Sequence, residues 1–172
     1  MKMGIYQVRV EENKDFDFIQ TLIQFAFADA EYSDHQEHFL VQKLRTDTAF
    51  LPNLALVACD EQGNIVGHIM FSEAIVDKTK VLALAPLSIA PTNQNQGIGT
   101  TLINVAHEQI KKLDYPCVVV LGHPNYYAKF GYESAEKFGI QAPFEVPEGA
   151  LRVLLLTNDI PKGVIEYARA FF

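Results

Sequence analysis

Ile89-Ala90-Pro91-Thr92-Asn93-Gln94-Asn95-Gln96-Gly97-Ile98-Gly99-Thr100 separates two runs of different periodicity. Upstream, residues 81–89 form a long apolar run that suits a strand, and Pro91 ends it. Downstream, Ile98, Leu102, Ala106, Ile110 and Leu113 recur at helical spacing. The polar residues 92–96 turn the chain between them. Gly97 and Gly99 carry no side-chain bulk, so backbone N–H groups there can converge on an anion, and the start of a helix adds positive potential. The same glycines also suit a tight turn with no ligand. The turn is not a Walker loop, because no Gly-Lys-Ser/Thr follows, and it lacks the third glycine of a dinucleotide fingerprint.

Working outward, residues 117–121 are apolar on both alternate sets, which predicts a strand covered on both faces. Strand, helix and strand in that order make a parallel pair the natural reading. Pro86 conflicts with an interior strand, since proline donates no ladder hydrogen bond, so a bulge or local splaying is expected there. Gly122-His123-Pro124-Asn125 breaks the second strand, and Tyr126-Tyr127-Ala128-Lys129-Phe130-Gly131-Tyr132 forms an aromatic turn.

Before this unit, residues 5–10 alternate as a strand. Phe18, Ile19, Leu22, Ile23 and Ala26 predict a helix ending near Ala30. Ser33 and Asp34 suit the cap of a second helix, with Phe39, Leu40 and Leu44 on its apolar face. A loop over 46–52 leads to strands at 54–59 and 65–76 that pair as a hairpin, followed by a turn over 77–80. After the aromatic turn come a short strand at 132–135, a loop at 141–149 and a strand at 151–156. Residues 164–172 suit either a strand or a short helix.

A chain of 172 residues with half of them apolar is read as one domain, 1–172, with a real core. The net charge of −7 argues against DNA or RNA as a partner, which needs clustered Lys and Arg. No run approaches the roughly 18 apolar residues that span a bilayer, and no signal-peptide core precedes the first strand. A cytoplasmic protein with no membrane partner is expected. Cys59 and Cys117 each sit in an apolar run, as buried free thiols do; a disulfide is the alternative. His35-x-x-His38 can place two ligands on one helix face, but no further Cys or His stands nearby to complete a zinc site, so no metal is expected.

Ile89-x-Pro91-x-x-Gln94-x-x-Gly97-x-Gly99 resembles the acetyl-CoA motif of the GNAT N-acetyltransferase superfamily, and Tyr126 to Tyr132 resembles the Tyr-Tyr-x-x-Phe-Gly-Phe segment of the same family. Gly122-x-Pro124-x-Tyr126-Tyr127 is similar to a bacterial subgroup of predicted acetyltransferases. The resemblance is sharp over about residues 54–135 and vaguer on either side. It implies an α/β (α+β) fold: a twisted, mostly antiparallel mixed sheet whose fourth and fifth strands are parallel and splayed, flanked by helices.

It also implies acetyl-CoA as cosubstrate and a primary amine of a small molecule or peptide as acceptor. Gln94, Asn95, Gln96, Gly97, Gly99 and Thr100 would present backbone amides to the pyrophosphate. Leu87, Ser88 and Ile89 would pair with the pantetheine arm as an extra strand. Asn125 would bond the pantetheine or frame the split, though an Asn also suits a plain turn. Tyr127, four residues before Gly131, would protonate the departing thiolate, since a phenol of pKa about 10 keeps its proton at neutral pH. The packing role falls to Tyr126. The base is left open among Glu73, His123 and water. Glu31, Tyr32, Asp34 and His35 lie where the family shapes its acceptor pocket. Monomer and homodimer both stay open, as does the length of the acyl chain. The rival readings are a non-catalytic acyl-CoA-binding regulatory domain and an interaction module acting through the apolar tail, Tyr167 to Phe172.

Overall fold

The computed structural model describes residues 2–3, 5–31 and 33–172. Tyr32, one of the expected acceptor-pocket residues, lies outside the described residues. In chain order the regular elements are β1 (Lys2–Met3), β2 (Tyr6–Val10), α1 (Phe16–Phe27), α2 (Glu37–Leu44), β3 (Phe50–Cys59), β4 (Ile65–Val76), β5 (Thr79–Ile89), α3 (Ile98–Ile110), β6 (Cys117–Leu121), α4 (Pro124–Ala128), β7 (Glu133–Ser134), β8 (Ile140–Gln141), β9 (Leu151–Leu155) and β10 (Gly163–Glu166). The predicted fourth and fifth strands are β5 and β6.

The strands form one sheet in the order β1-β2-β3-β4-β5-β6-β9-β7, with β10 paired to the far end of β4 and β8 to β10. Along the main order every pairing is antiparallel except β5 with β6. That parallel pair lasts only from Leu82↔Val118 to Leu84↔Val120. Beyond it the two strands diverge, and the departure point is the one that Pro86 predicts. On the other side β5 gains one residue on β4: Leu84 faces Phe71, but Leu87 faces Ile69. The bulge absorbs a residue that cannot donate to the ladder and leaves the last five residues of β5 with a free edge toward β6.

Alternation assigns the two faces. Leu56, Ile69, Phe71, Leu82 and Leu84 pack with Ile98, Leu102, Ile103 and Ala106 of α3. Ala55, Val57 and Met70 point the other way, against Ile19, Leu22 and Ile23 of α1 and Val41 and Leu44 of α2. Each fully buried Leu or Ile in these layers contributes about 1.5–3 kcal/mol. Cys117, Val118 and Val119 of β6 are wholly buried, which accounts for a strand without polar alternation. Gly67 brings α3 close: a Cβ there would lie 2.9 Å from Ile98 Cγ2 and 3.0 Å from Leu102 Cδ1.

Several boundaries differ from the sequence reading. α1 stops at Phe27, and the residues up to Ala30 form turns. Ser33 and Asp34 do not cap α2. Their side chains accept from the His35 and Gln36 amides, and the helix starts at Glu37. Its buried face is His38, Val41 and Leu44, while Phe39 is exposed. His35, at φ 60°, stands before the helix, so it and His38 do not share a helical face. Leu113 falls beyond α3 and is exposed. Strand β5 begins at Thr79 because Asp77 and Lys78, both at positive φ, close a two-residue hairpin. The ambiguous C-terminal segment is β10 followed by a 3₁₀ turn over Arg169–Phe171. Cys59 and Cys117 are buried free thiols in different layers.

Candidate active site

The free edge of β5 opens onto a cleft of about 530 Å³. Leu87 and Ile89 form one wall, and Asn93, Gln94, Asn95, Gly97, Gly99 and Thr100 form the head. Ala26 and Phe27 from the end of α1 close one side, and Tyr126 and Lys129 close the other. Most of the expected cofactor contacts therefore meet in one place.

The turn is built by backbone conformation. Gly97 is the N-cap of α3 at φ 83°, where a side chain would be strained, and Asn95 lies at φ 63°. No capping side chain engages the first turn of α3. Its leading amides thus keep their donors for a ligand. Gly99 is needed for a different reason: a Cβ there would run into the Tyr126 hydroxyl, which rests on the helix at that point. Gln94 folds back so that Nε2 donates to the Ile89 carbonyl at 3.4 Å. The Gln96 side chain accepts from the Tyr6 hydroxyl at 2.8 Å and ties the turn to β2. Lys129 extends its ammonium over the Tyr126 ring, 5.5 Å from the centroid, and is the cation at the cleft wall.

The aromatic turn splits into two roles. Tyr126 lines the cleft, and Tyr127 lies one layer deeper, only 8% exposed. The Tyr127 ring meets Tyr126 edge-on at 5.2 Å and Tyr132 at 5.6 Å. It lies directly over Gly122, where a Cβ would penetrate the ring. Burial, and then the neighbouring Tyr126, push the Tyr127 phenol well above its ordinary range, so it stays protonated across neutral pH. Tyr132 in turn meets His107 Nε2 at 3.0 Å, and burial brings His107 down to about 4.

Other candidate residues stand elsewhere. Asn125 is exposed on α4 and does not line the cleft. Ser88 turns its side chain to the opposite sheet face from Leu87 and Ile89, opposite His68 of β4. Glu73 faces Leu82, at the end where β5 and β6 are still joined, and there accepts from the Tyr115 hydroxyl at 2.6 Å. That position removes it from the split. His123 is exposed at the N-cap of α4.

Sequence reasoning gave no site role to Gly67, Gly122, Ala26 or Phe27, and it missed a buried ionic group. His68 Nε2 lies 2.8 Å from Glu11 Oε1, and Arg45 donates to both Glu11 oxygens at 2.8 and 3.0 Å. Burial alone would raise the Glu11 carboxyl, but hydrogen bonds from His68 and Arg45 outweigh it and hold the group at about 2. The partners are separated by 57 and 34 positions, so no local pattern announces them.

A strand pair that parts beside the N-terminus of a helix, with an aromatic turn beyond it, defines a GNAT-type acetyltransferase scaffold. The acetyltransferase (GNAT) domain model matches residues 52–134, and the chain belongs to that family. The uncharacterized N-acetyltransferase YhbS of Escherichia coli (strain K12) is 32% identical over 170 residues, covering 95% of this chain and 97% of the relative. The structure of YhbS from Escherichia coli in complex with CoA aligns with a TM-score of 0.86 at 26% identity, covering 99% of this chain and 94% of that one. A GNAT family acetyltransferase from Brucella melitensis in complex with acetyl-CoA aligns with a TM-score of 0.82 at 28% identity, covering 97% and 98%. Among the described residues no helix is long and apolar enough to cross a membrane.

Proposed function

We propose that residues 1–172 act as one acetyl-CoA-dependent N-acetyltransferase unit that transfers acetyl directly to a primary amine of a small molecule or peptide. The observation that carries this reading is the free edge of β5 beyond Leu84, running along the cleft into the uncapped first turn of α3. In this reading the backbone of Leu87, Ser88 and Ile89 pairs with the pantetheine amides. The amides of Gln94, Asn95, Gln96, Gly97, Gly99 and Thr100 hold the pyrophosphate, with Lys129 adding charge.

The amine nitrogen attacks the thioester carbonyl, and strand amides near Leu87 steady the oxyanion. Tyr127 donates its proton to the leaving thiolate. Its raised pKa keeps the proton on the phenol across neutral pH, so the proton is present when the thiolate forms, although it also makes the phenol a weaker acid. Donation requires the Tyr127 hydroxyl to reach the sulfur past Tyr126, which stands between it and the cleft. The burial of Tyr127 is also the one observation favouring the second reading, an acyl-CoA-binding regulatory domain without turnover.

Calorimetric titration with acetyl-CoA, followed by thiol release with polyamines, amino acids and peptides, separates the two. Binding with amine-dependent release supports the enzyme. Binding with no release across the panel points to the regulatory domain. No heat with acetyl-CoA removes both.

A further inference from the structure

The Glu11–His68–Arg45 group has an ordinary structural use, pinning the turn after β2 and the end of α2 to the centre of the sheet. That use leaves one nitrogen unexplained. Glu11 receives two hydrogen bonds from Arg45 and is ionised, so it can only accept from His68. The neutral imidazole therefore carries its proton on Nε2 and keeps a bare lone pair on Nδ1. His68 is wholly buried, and among the described residues Nδ1 has no hydrogen-bond partner. Ser88 is 1% exposed, and its hydroxyl has none either. The two residues face each other across β4 and β5, so both side chains stand on the face covered by α1 and α2.

Their position is specific. The His68↔Ser88 pair lies beyond the bulge, next to Ile69↔Leu87, where β5 has already parted from β6. Leu87 lines the cleft on one face of the strand, and Ser88 is the adjacent residue on the other. The end of α1, through Ala26 and Phe27, reaches the same cleft. An orphaned acceptor and an orphaned hydroxyl thus flank the strand position where the proposed transfer occurs. A directly opposed pair has Cβ atoms about 5 Å apart, and a buried water needs polar partners such as these two.

We propose that His68, oriented by Glu11, takes up the proton shed by the attacking amine, through a water held between its Nδ1 and the Ser88 hydroxyl. This rests on the acetyltransferase reading above. As the C–N bond forms and the C–S bond breaks, the nitrogen keeps its N–H electron pair and the proton passes through the water to Nδ1. The imidazolium is stabilised by the Glu11 carboxylate. The thiolate takes the Tyr127 proton, and the His68 proton returns to the phenolate through solvent, so both side chains end as they began. The charged groups bearing on His68 are Glu11, which favours the imidazolium, and Arg45 at the end of α2, which opposes it. Burial opposes it most, so His68 rests neutral and ready to accept. His68 acts through the water and is a positioning residue.

The test uses the full chain with acetyl-CoA and the fastest of spermidine, lysine amide and tyramine. His68→Gln keeps an amide donor for Glu11 but has no titrating lone pair. Its kcat should fall about 100-fold near neutral pH, with an unchanged acetyl-CoA Kd, and the deficit should shrink about tenfold per pH unit as the free amine and hydroxide take over. Ser88→Ala leaves the His68–Glu11 contact intact. It should lower kcat about tenfold or more with no fall in Tm, because it removes a buried unpaired hydroxyl. Wild-type turnover in both variants at every pH overturns the relay and leaves the acetyltransferase reading standing. So does a loss in His68→Gln that is constant with pH. No thiol release by the wild type with any of the three amines counts against both readings. Nitrogen NMR of the imidazole gives a separate check: a proton on Nδ1 in the resting protein overturns the relay whatever the turnover.

Discussion

Gly122→Ala is a wedge aimed at one side chain. Gly122 is not at positive φ, so its backbone accepts alanine without strain, and its amide bond to the Ala150 carbonyl survives. The added methyl meets the Tyr127 ring first, through Cε2, Cδ2 and Cζ. Overpacking of this kind costs about 1–3 kcal/mol. Restricting the unfolded chain returns about 0.4–1 kcal/mol. The net loss of about 1–2 kcal/mol is small against the 5–15 kcal/mol typical of a domain, so the protein stays folded. Turnover should suffer far more. General acid catalysis is worth about 10²–10⁴ in rate, or roughly 3–5 kcal/mol, and a displaced ring loses most of it. Tyr127→Phe should give a similar fall in kcat with the ring left in place. Both variants should bind acetyl-CoA within about threefold of wild type, since Gly122 and Tyr127 do not line the cleft. The double variant should be no slower than the worse single one, because the same hydroxyl cannot be lost twice. Steady-state thiol release, calorimetry and urea unfolding of the four proteins complete the cycle. If Gly122→Ala keeps wild-type kcat, or if the two losses multiply, Tyr127 is not the proton donor.

Three further outcomes follow from the same geometry. Gly67→Ala puts a methyl about 3 Å from the tips of Ile98, Leu102 and Ile89, so the unfolding free energy from urea titration should fall by about 1–2 kcal/mol. Acetyl-CoA binding should weaken with it, since Ile89 and Ile98 line the cleft. Lys129→Ala should raise the acetyl-CoA Kd about five- to tenfold at low salt, and the difference should close as salt rises; a salt-independent difference contradicts a phosphate contact. For acid stability, the pKa of Glu11 falls on folding from 4.5 to about 2, so its contribution is present above pH 4.5 and is lost as pH drops toward 2. His68 is also lowered on folding, chiefly by burial, so its contribution is lost as pH falls below 6.5. His107, brought down to about 4 by burial, loses its contribution over the same upper range, so urea midpoints should decline in two stages and His68→Gln should shrink the upper one without abolishing it.

The scaffold was legible because its signals are local. Pro86 marked the end of the β5–β6 pairing, and Gly97 and Gly99 marked a strand-to-helix turn, since each changes what the backbone beside it can do. The start of α2 was misread because Ser33 and Asp34 bond their own neighbouring amides, an option that such side chains always have beside helix capping. Glu73 drew attention as a carboxylate near the predicted split. Only the register showed it facing Leu82 rather than Leu87. Tyr126 and Tyr127 are adjacent and chemically alike, yet one lines the cleft and the other is buried over Gly122.

Periodicity and glycine spacing were enough for the order of elements and the strand-to-helix turn, and two short motifs carried the family resemblance, because each depends on residues within a turn or two of one another. The arrangement of Glu11, Arg45, His68 and Ser88 depends instead on strand register and on which face of the sheet α1 and α2 cover. Register shifts by a single residue at the β5 bulge, and a one-residue slip sends a side chain to the opposite face. Assembly of the sheet then widens the pH range of each state: hydrogen bonds from His68 and Arg45 hold Glu11 charged against burial, and burial holds His68 neutral and Tyr127 protonated.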